Sequence, residues 1–314
     1  MTPDVHDAVL LDLDGVVYAG DTAVTGAPEA LARLREEGTP LRFVTNNASR
    51  TPEQVADKLV SVGVQASADE VLGSARAAAE LLVDRVRLAP GSLVAVVGGH
   101  GLLRAVEEVG LRPVPVVDVE DRPDAVVQGF SPDLGWAQLA AATAWVRDGV
   151  TWVASNLDLT IPTARGIAPG NGLLVHAVAE ASGRRPDFVA GKPEPFLFLS
   201  AARSAGADAP LVVGDRLDTD IAGGRAAGFA SALVLTGVHG VLDALDAPPS
   251  ARPDRLLVTL ADLWGSPTRA EADEATARLH EAWAELDAVD GGDVARERAA
   301  VRERWAGRLS PAGG

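Results

Sequence analysis

The stretch Ala8–Gly20, AVLLDLDGVVYAG, constrains the fold more than any other part of this 314-residue chain. Val9, Leu10 and Leu11 make an apolar run of the length of a short buried strand, and Gly15 breaks it. Asp12 and Asp14 stand two residues apart just past the run. On extended backbone, residues i and i+2 point to the same side, so both carboxylates face one place. Open α/β sheets hold their ligands beyond the carboxyl ends of the strands. Two anions converging there repel each other, and the simplest remedy is a cation. All the ligands on offer are oxygens, which favours Mg²⁺.

Downstream, the chain alternates between strand and helix signals, as a parallel, Rossmann-like sheet covered by helices requires. A helix over 28–38 has Pro near its start and Gly at its end. A strand over 41–44 then ends at Thr45-Asn46-Asn47, and helices are predicted over 52–62 and 74–83. A second alternation starts near residue 85, with strands at 93–97, 125–128 and 151–154 and helices at 100–109 and 136–147. The Gly- and Pro-rich stretch 155–172 reads as a loop, and 173–181 as a helix. The first alternation resumes after about 185, with a helix at 196–205, a strand at 211–213, a helix at 218–227, and strands at 232–235 and 255–258. Thirty residues separate Asp14 from Thr45, whereas 146 separate Thr45 from the Lys192 region. Crossovers leave on the order of 100 of those for an inserted domain. The expected organisation is a core over 1–84 and 185–265, an inserted α/β domain over 85–184, and a helical extension over 268–314.

That extension carries apolar stripes at helical spacing: Ala272, Ala275, Leu279, Trp283 and Leu286, then Val294, Val301 and Trp305. Residues 268–293 hold eight acidic and two basic groups, and 294–314 hold five basic and two acidic. An acidic helix followed by a basic one predicts a helical hairpin, either a solvated appendage or a dimer-forming surface. The formal net charge of −16 repels nucleic acid and anionic membranes, so neither is expected as a partner. With no cysteine there is no disulfide, thiol nucleophile or zinc–thiolate site. No apolar run reaches the ~18 residues of a membrane span, and the first residues lack a signal-peptide pattern, so a cytoplasmic location is expected. His6, His100, His176, His239 and His280 share no spacing that suggests a metal site.

Four clusters fall at ends of predicted core strands: Asp12 with Asp14, Thr45-Asn46-Asn47, Gly191-Lys192-Pro193, and Gly214-Asp215 with Asp218 and Asp220. Together they supply carboxylates, a hydroxyl, amides and one fixed cation, which is what positioning and neutralising a phosphoryl group demands. DLDGVVYAG (12–20), FVTNNASR (43–50), GKPEP (191–195) and VGDRLDTDIAGG (213–224) resemble the four motifs of the haloacid dehalogenase-like phosphatases. The resemblance is to the subfamily of 4-nitrophenyl-phosphatase-like, phosphoglycolate, pyridoxal-phosphate and nucleotide monophosphate phosphatases, and it spans roughly residues 8–260.

The resemblance implies that Asp12 is the nucleophile that becomes an aspartyl-phosphate. Asp14 would be the general acid and then the base. Thr45, Asn46 and Asn47 would hold phosphoryl oxygens, and Lys192 would neutralise charge there. Asp215 would bind Mg²⁺ with Asp12 and the backbone carbonyl of Asp14, with Asp220 supporting them from behind; Asp218 would serve there or cap a helix. It also implies a C2-type cap over the inserted region; the position of 156–172 after a strand of that region and its Gly/Pro content make it the expected substrate loop, with Asn156, Asp158 and Arg165 as its polar candidates. The expected activity is hydrolysis of a small phosphorylated metabolite, glycerol 3-phosphate or 2-phosphoglycolate first. The alternatives are a nucleotide monophosphate or pyridoxal phosphate phosphatase, a phosphomutase, or an inactive binding or scaffold protein on the same fold. A dehalogenase would need neither an acid at position 14 nor Asp215. A homodimer is compatible with either the cap or the Trp283/Trp305 tail as contact surface.

Overall fold

The computed structural model describes residues 6–163, 166–264, 266–290 and 294–309. In chain order it begins with β1 (Val9–Leu11), a hairpin β2–β3 (Tyr18–Ala19 and Thr22–Ala23), α1 (Ala27–Glu36), β4 (Leu41–Thr45) and α2 (Pro52–Ser61). Next come β5 (Val71–Gly73), α3 (Ser74–Asp84), β6 (Leu93–Val97), α4 (His100–Glu108), β7 (Arg112–Pro115), β8 (Ala125–Gln128), α5 (Trp136–Arg147) and β9 (Thr151–Ala154). A second hairpin, β10–β11 (Thr160–Thr163 and Gly166–Pro169), precedes α6 (Asn171–Ser182), β12 (Phe188–Val189) and α7 (Phe196–Ala205). The remainder comprises β13 (Leu211–Gly214), a π-type turn over Leu217–Ile221 running into α8 (Ala222–Ala226), β14 (Ala230–Val234), α9 (Val241–Leu245), β15 (Arg255–Leu257), α10 (Arg269–Asp287) and α11 (Val294–Leu309).

The chain forms two compact units. One comprises Met1–Phe43, Lys58–Ala66 and Ala202–Gly314; the other comprises Val44–Asp57 and Ser67–Ala201. In the first unit β15, β14, β13 and β1 lie side by side, with Leu41–Phe43 of β4 on the far side of β1, and every pair is parallel. The register places Val9 opposite both Leu211 and Leu41. β1 and β13 are buried along their whole length, as continuous apolar strands of a helix-covered sheet must be. Their carboxyl ends deliver Asp12 and Asp215 to the same edge.

The C-terminal hairpin is part of this unit's core rather than a solvated appendage. Leu279, Ala282, Trp283, Leu286, Val301, Trp305 and Leu309 pack with Leu217, Ile221, Leu233, Leu245 and Leu256. Of the apolar stripe read from the sequence, Ala272, Leu279, Trp283, Leu286, Val301 and Trp305 are buried, Ala275 is partly buried and Val294 is exposed, and Trp283 Nε1 donates to the Ala244 carbonyl at 3.1 Å. The opposite charges do meet: Arg304 pairs with Glu285, and Arg298 with Asp287 at 3.7 Å. The last turn before α10 is anchored by Asp262, which accepts from the Val258 and Thr259 amides at 2.7 and 3.0 Å, and from Ser266 and Thr268 hydroxyls.

The second unit has its own parallel sheet, ordered β12–β9–β8–β6–β7. Val97, Val126, Trp152, Ala154, Val175 and Val178 form a core on one face with Ala142 and Val146 of α5. The 155–172 stretch, expected as a loop, contains the β10–β11 hairpin, in which Thr160 pairs with Pro169 and Ile161 with Ala168. Among the described residues no helix is long and apolar enough to cross a membrane.

Candidate active site

In the first unit, β1 runs into Asp12 and β13 into Asp215, and the π-type turn after β13 returns Asp220 toward them. One carboxylate oxygen from each of Asp12, Asp215 and Asp220 lies within 4.8 Å of the others. Asp215 and Asp220 are buried, whereas Asp12 is partly exposed, so the group opens to solvent on the Asp12 side. Three converging carboxylates in this space are an all-oxygen, hard donor set, which suits Mg²⁺. The Asp14 side chain is exposed and lies outside this group, and Asp14 forms a bridge with Tyr18. Asp218 is exposed and pairs with Arg216 at 2.7 Å; burial works against its ionisation, but the Arg216 guanidinium outweighs that and holds the carboxyl below its usual range.

Asp215 is gripped from several sides. Val238 N–H donates to its Oδ2 at 2.7 Å, and His239 N–H to its carbonyl at 3.1 Å. Gly15 lies against it at φ +81°, where a Cβ would come within 2.5 Å of Oδ2. A Cβ on Gly237 would lie 2.5 Å from Asp215 Cγ and nearer still to Oδ2. Thr236 Oγ1 ties the Gly237 segment to Gly15 by donating to the Gly15 carbonyl at 2.7 Å. This Thr236–His239 segment was not singled out from the sequence. Its one local signal is a glycine three residues past the end of β14, where close backbone approach requires one. Gly214 serves the same end, since a Cβ there would collide with Asp220.

In the second unit, Thr45, Asn46 and Lys192 are buried and Asn47 is exposed. Asn46 binds the Lys192 backbone twice, accepting from its N–H at 2.8 Å and donating to its carbonyl at 3.0 Å. Gly191 has no room for a side chain, because a Cβ would sit 2.6 Å from Asn46 Oδ1. Lys192 Nζ reaches the Val44 carbonyl at 3.4 Å. Asn156 donates to the Asn46 carbonyl at 2.8 Å, and Ser74 Oγ to the same carbonyl at 2.6 Å. Asp158 accepts from Asn46 Nδ2 at 3.0 Å. Asn46, Asn156, Asp158 and Lys192 thus form one network, whereas Arg165 lies outside the described residues. Asn47 makes a local turn, its N–H on Thr45 Oγ1 at 3.1 Å and its Oδ1 accepting from Ser49. A small cleft opens in this unit beside Thr45 and Asn47, with Arg50, Arg76 and Arg104 in its wall.

A family model described as haloacid dehalogenase-like hydrolase matches residues 9–112, and a second, HAD-hydrolase-like, matches 189–263. Between them these matches take in Asp12, Thr45, Lys192 and Asp215. A D-glycerol 3-phosphate phosphatase of Mycobacterium tuberculosis is 49% identical over 248 residues, which are 79% of this chain and 68% of that protein. The chain belongs to the haloacid dehalogenase-like hydrolases. An acid sugar phosphatase of Staphylococcus aureus is 37% identical to this hydrolase over 262 residues, 82% of this chain and 98% of that protein. Among solved structures, a glycerol phosphate phosphatase from Mycobacterium tuberculosis in complex with magnesium superposes with a TM-score of 0.77 at 48% identity. That match covers 82% of this hydrolase and 76% of the other chain.

Proposed function

We propose that this hydrolase is a Mg²⁺-dependent phosphatase of small phosphate monoesters, with glycerol 3-phosphate or 2-phosphoglycolate as its preferred substrate. The carrying observation is the convergence of Asp12, Asp215 and Asp220. The relatives named as glycerol phosphate and sugar phosphatases support the substrate class. In this reading Asp12 and Asp215, with the Asp14 carbonyl, hold the ion, and Asp220 supports them. Bound Mg²⁺ supplies charge neutralisation for the phosphoryl oxygens and the attacking carboxylate.

The chain's own groups carry the chemistry. An Asp12 carboxylate oxygen attacks phosphorus as the bond from phosphorus to the ester oxygen breaks, and the Asp14 carboxyl gives its proton to the leaving alkoxide. Asp14, now a carboxylate, takes a proton from water as the water oxygen attacks phosphorus. That releases inorganic phosphate and restores the Asp12 carboxylate. The Thr45 hydroxyl and the backbone amide of Asn46 are assigned to the phosphoryl oxygens and Lys192 to their charge. The hydrogen bonds from Asn46 and the lack of space at Gly191 fix the Lys192 backbone for that task. A soluble phosphorylated substrate suits a cytoplasmic location, and that location is part of the proposal.

The test is phosphate release from glycerol 3-phosphate, 2-phosphoglycolate, nucleotide monophosphates and pyridoxal phosphate with and without Mg²⁺, with Asp12→Asn as blank. A kcat/KM peak on one of the first two, lost with the metal and in the blank, is expected. No turnover of any ester would defeat the phosphatase reading, and a peak on a nucleotide or pyridoxal phosphate would replace the substrate assignment.

A further inference from the structure

We infer that His239 is a positioning residue for the carboxylate site: it fixes the backbone between Asp215 and Asp220 so that their oxygens stay within reach of one cation. The inference deepens the proposed function and rests on it for the identity of that cation.

Leu217–Ile221 is a π-type turn whose preceding residue, Arg216, provides no side-chain cap. The first N–H groups of any helical turn lack a partner within it. The Leu217 N–H is such a donor, and Leu217 is buried, so an unmet N–H would carry a desolvation cost. His239 Nδ1 accepts from it at 2.9 Å, which places the ring proton on Nε2. The backbone N–H of the same histidine donates to the Asp215 carbonyl at 3.1 Å. One residue therefore holds the peptide groups on both sides of Arg216. Arg216 N–H in turn donates to Asp220 Oδ2 at 3.1 Å, so the segment fixed by His239 also carries a direct hold on the Asp220 carboxylate.

His239 stands at the start of a segment that is held on its C-terminal side. Gly240 caps α9, whose Ala244 carbonyl is bound by Trp283 and whose following residue, Asp246, is paired with Arg302. The C-terminal hairpin thus braces α9, α9 braces His239, and His239 braces the metal-binding turn. Groups that orient metal ligands from behind characteristically change affinity when removed.

Side-chain geometry gives a discriminating test. Asn places its amide oxygen at the position of Nδ1, one bond beyond Cγ, and can accept the same N–H. Gln places its oxygen one bond further out and cannot. Mg²⁺ binding to metal-free protein is measured by titration calorimetry for wild type, His239→Ala, His239→Asn and His239→Gln, with exchange of the Leu217 amide followed in the same metal-free samples. His239→Ala and His239→Gln are expected to bind Mg²⁺ about 10–100-fold more weakly and to exchange Leu217 faster, with His239→Asn close to wild type. Unchanged Mg²⁺ affinity in the Ala and Gln variants, or equal losses in Asn and Gln, would overturn the inference. Should the Ala variant not fold, the Asn–Gln comparison decides alone. Wild type that binds Mg²⁺ but hydrolyses no ester would defeat the phosphatase reading while the affinity series still judges His239. Wild type that binds no Mg²⁺ would overturn both.

Discussion

Gly237→Ala isolates the crowding around Asp215. The added methyl carbon would stand 2.5 Å from Asp215 Cγ and closer to Oδ2 and Cβ. Carbon atoms pack at about 3.5–4.0 Å, so one side must retreat by about 1 Å. Gly15 also packs close to Oδ2, which limits how the carboxylate can yield. If the segment carrying Gly237 yields instead, the 2.7 Å bond from Val238 N–H to Oδ2 is lost or stretched. Overpacking of this kind costs about 1–3 kcal/mol in stability. A displacement of about 1 Å in a functional group costs on the order of 100-fold in rate. The expected variant is folded, melts a few degrees lower, binds Mg²⁺ more weakly, and loses about 100-fold in kcat/KM for p-nitrophenyl phosphate. Calorimetry, metal titration and steady-state kinetics read these three quantities. Wild-type metal affinity and turnover in Gly237→Ala would show that Asp215 is not held as described, and the reasoning from close approach would fail.

Gly307→Ala is the matched control: a Cβ there meets nothing within 4 Å, the position lies in α11, and the change should stabilise by about 0.5–1 kcal/mol in a melt without altering turnover. Asn46→Ala removes both hydrogen bonds to the Lys192 backbone and the one to Asp158; it should lower kcat and destabilise by about 1–3 kcal/mol, measured by urea unfolding. Burial pushes the Asp262 carboxyl up, but the Ser266 and Thr268 hydroxyls and the Thr259 and Val258 amides outweigh it and hold the carboxyl below its usual range. A lowered folded pKa stabilises the fold above the unfolded value of about 4, and that stabilisation disappears as pH falls through the folded value. The Tm gap between wild type and Asp262→Asn should therefore be widest at neutral pH and narrow below about pH 4, and a gap constant with pH would refute it.

The parts of the molecule that are local in sequence were legible. Asp12 and Asp215 directly follow strands that their apolar runs announce, Asp220 stands in the turn after the second of these, and Trp283 and Trp305 lie on the buried faces of their helices. Partners that meet only in the folded chain were not legible. Thr236–His239 reads as an ordinary loop, and its grip on Asp215 exists only because β14 lies beside β13. Asn46 and Asn156 look like ligands for a substrate, yet their side chains are spent on Lys192 and on the Asn46 carbonyl. The β10–β11 hairpin was hidden by Pro162, Gly166 and Pro169, which read as loop punctuation, although Ile161 and Ile167 gave the β-branched signal of paired strands.

Because β1 takes β13 as a neighbour, Val9 must wait for Leu211 to leave the ribosome. At about 5–20 residues per second that delay lasts on the order of tens of seconds. Throughout it, β1 has only β4 beside it and offers an apolar edge that other nascent chains can join. Yield of soluble protein should therefore depend on expression temperature and chaperone supply more than on the stability of the finished molecule, and refolding from denaturant should be slow because its decisive pairing is long-range.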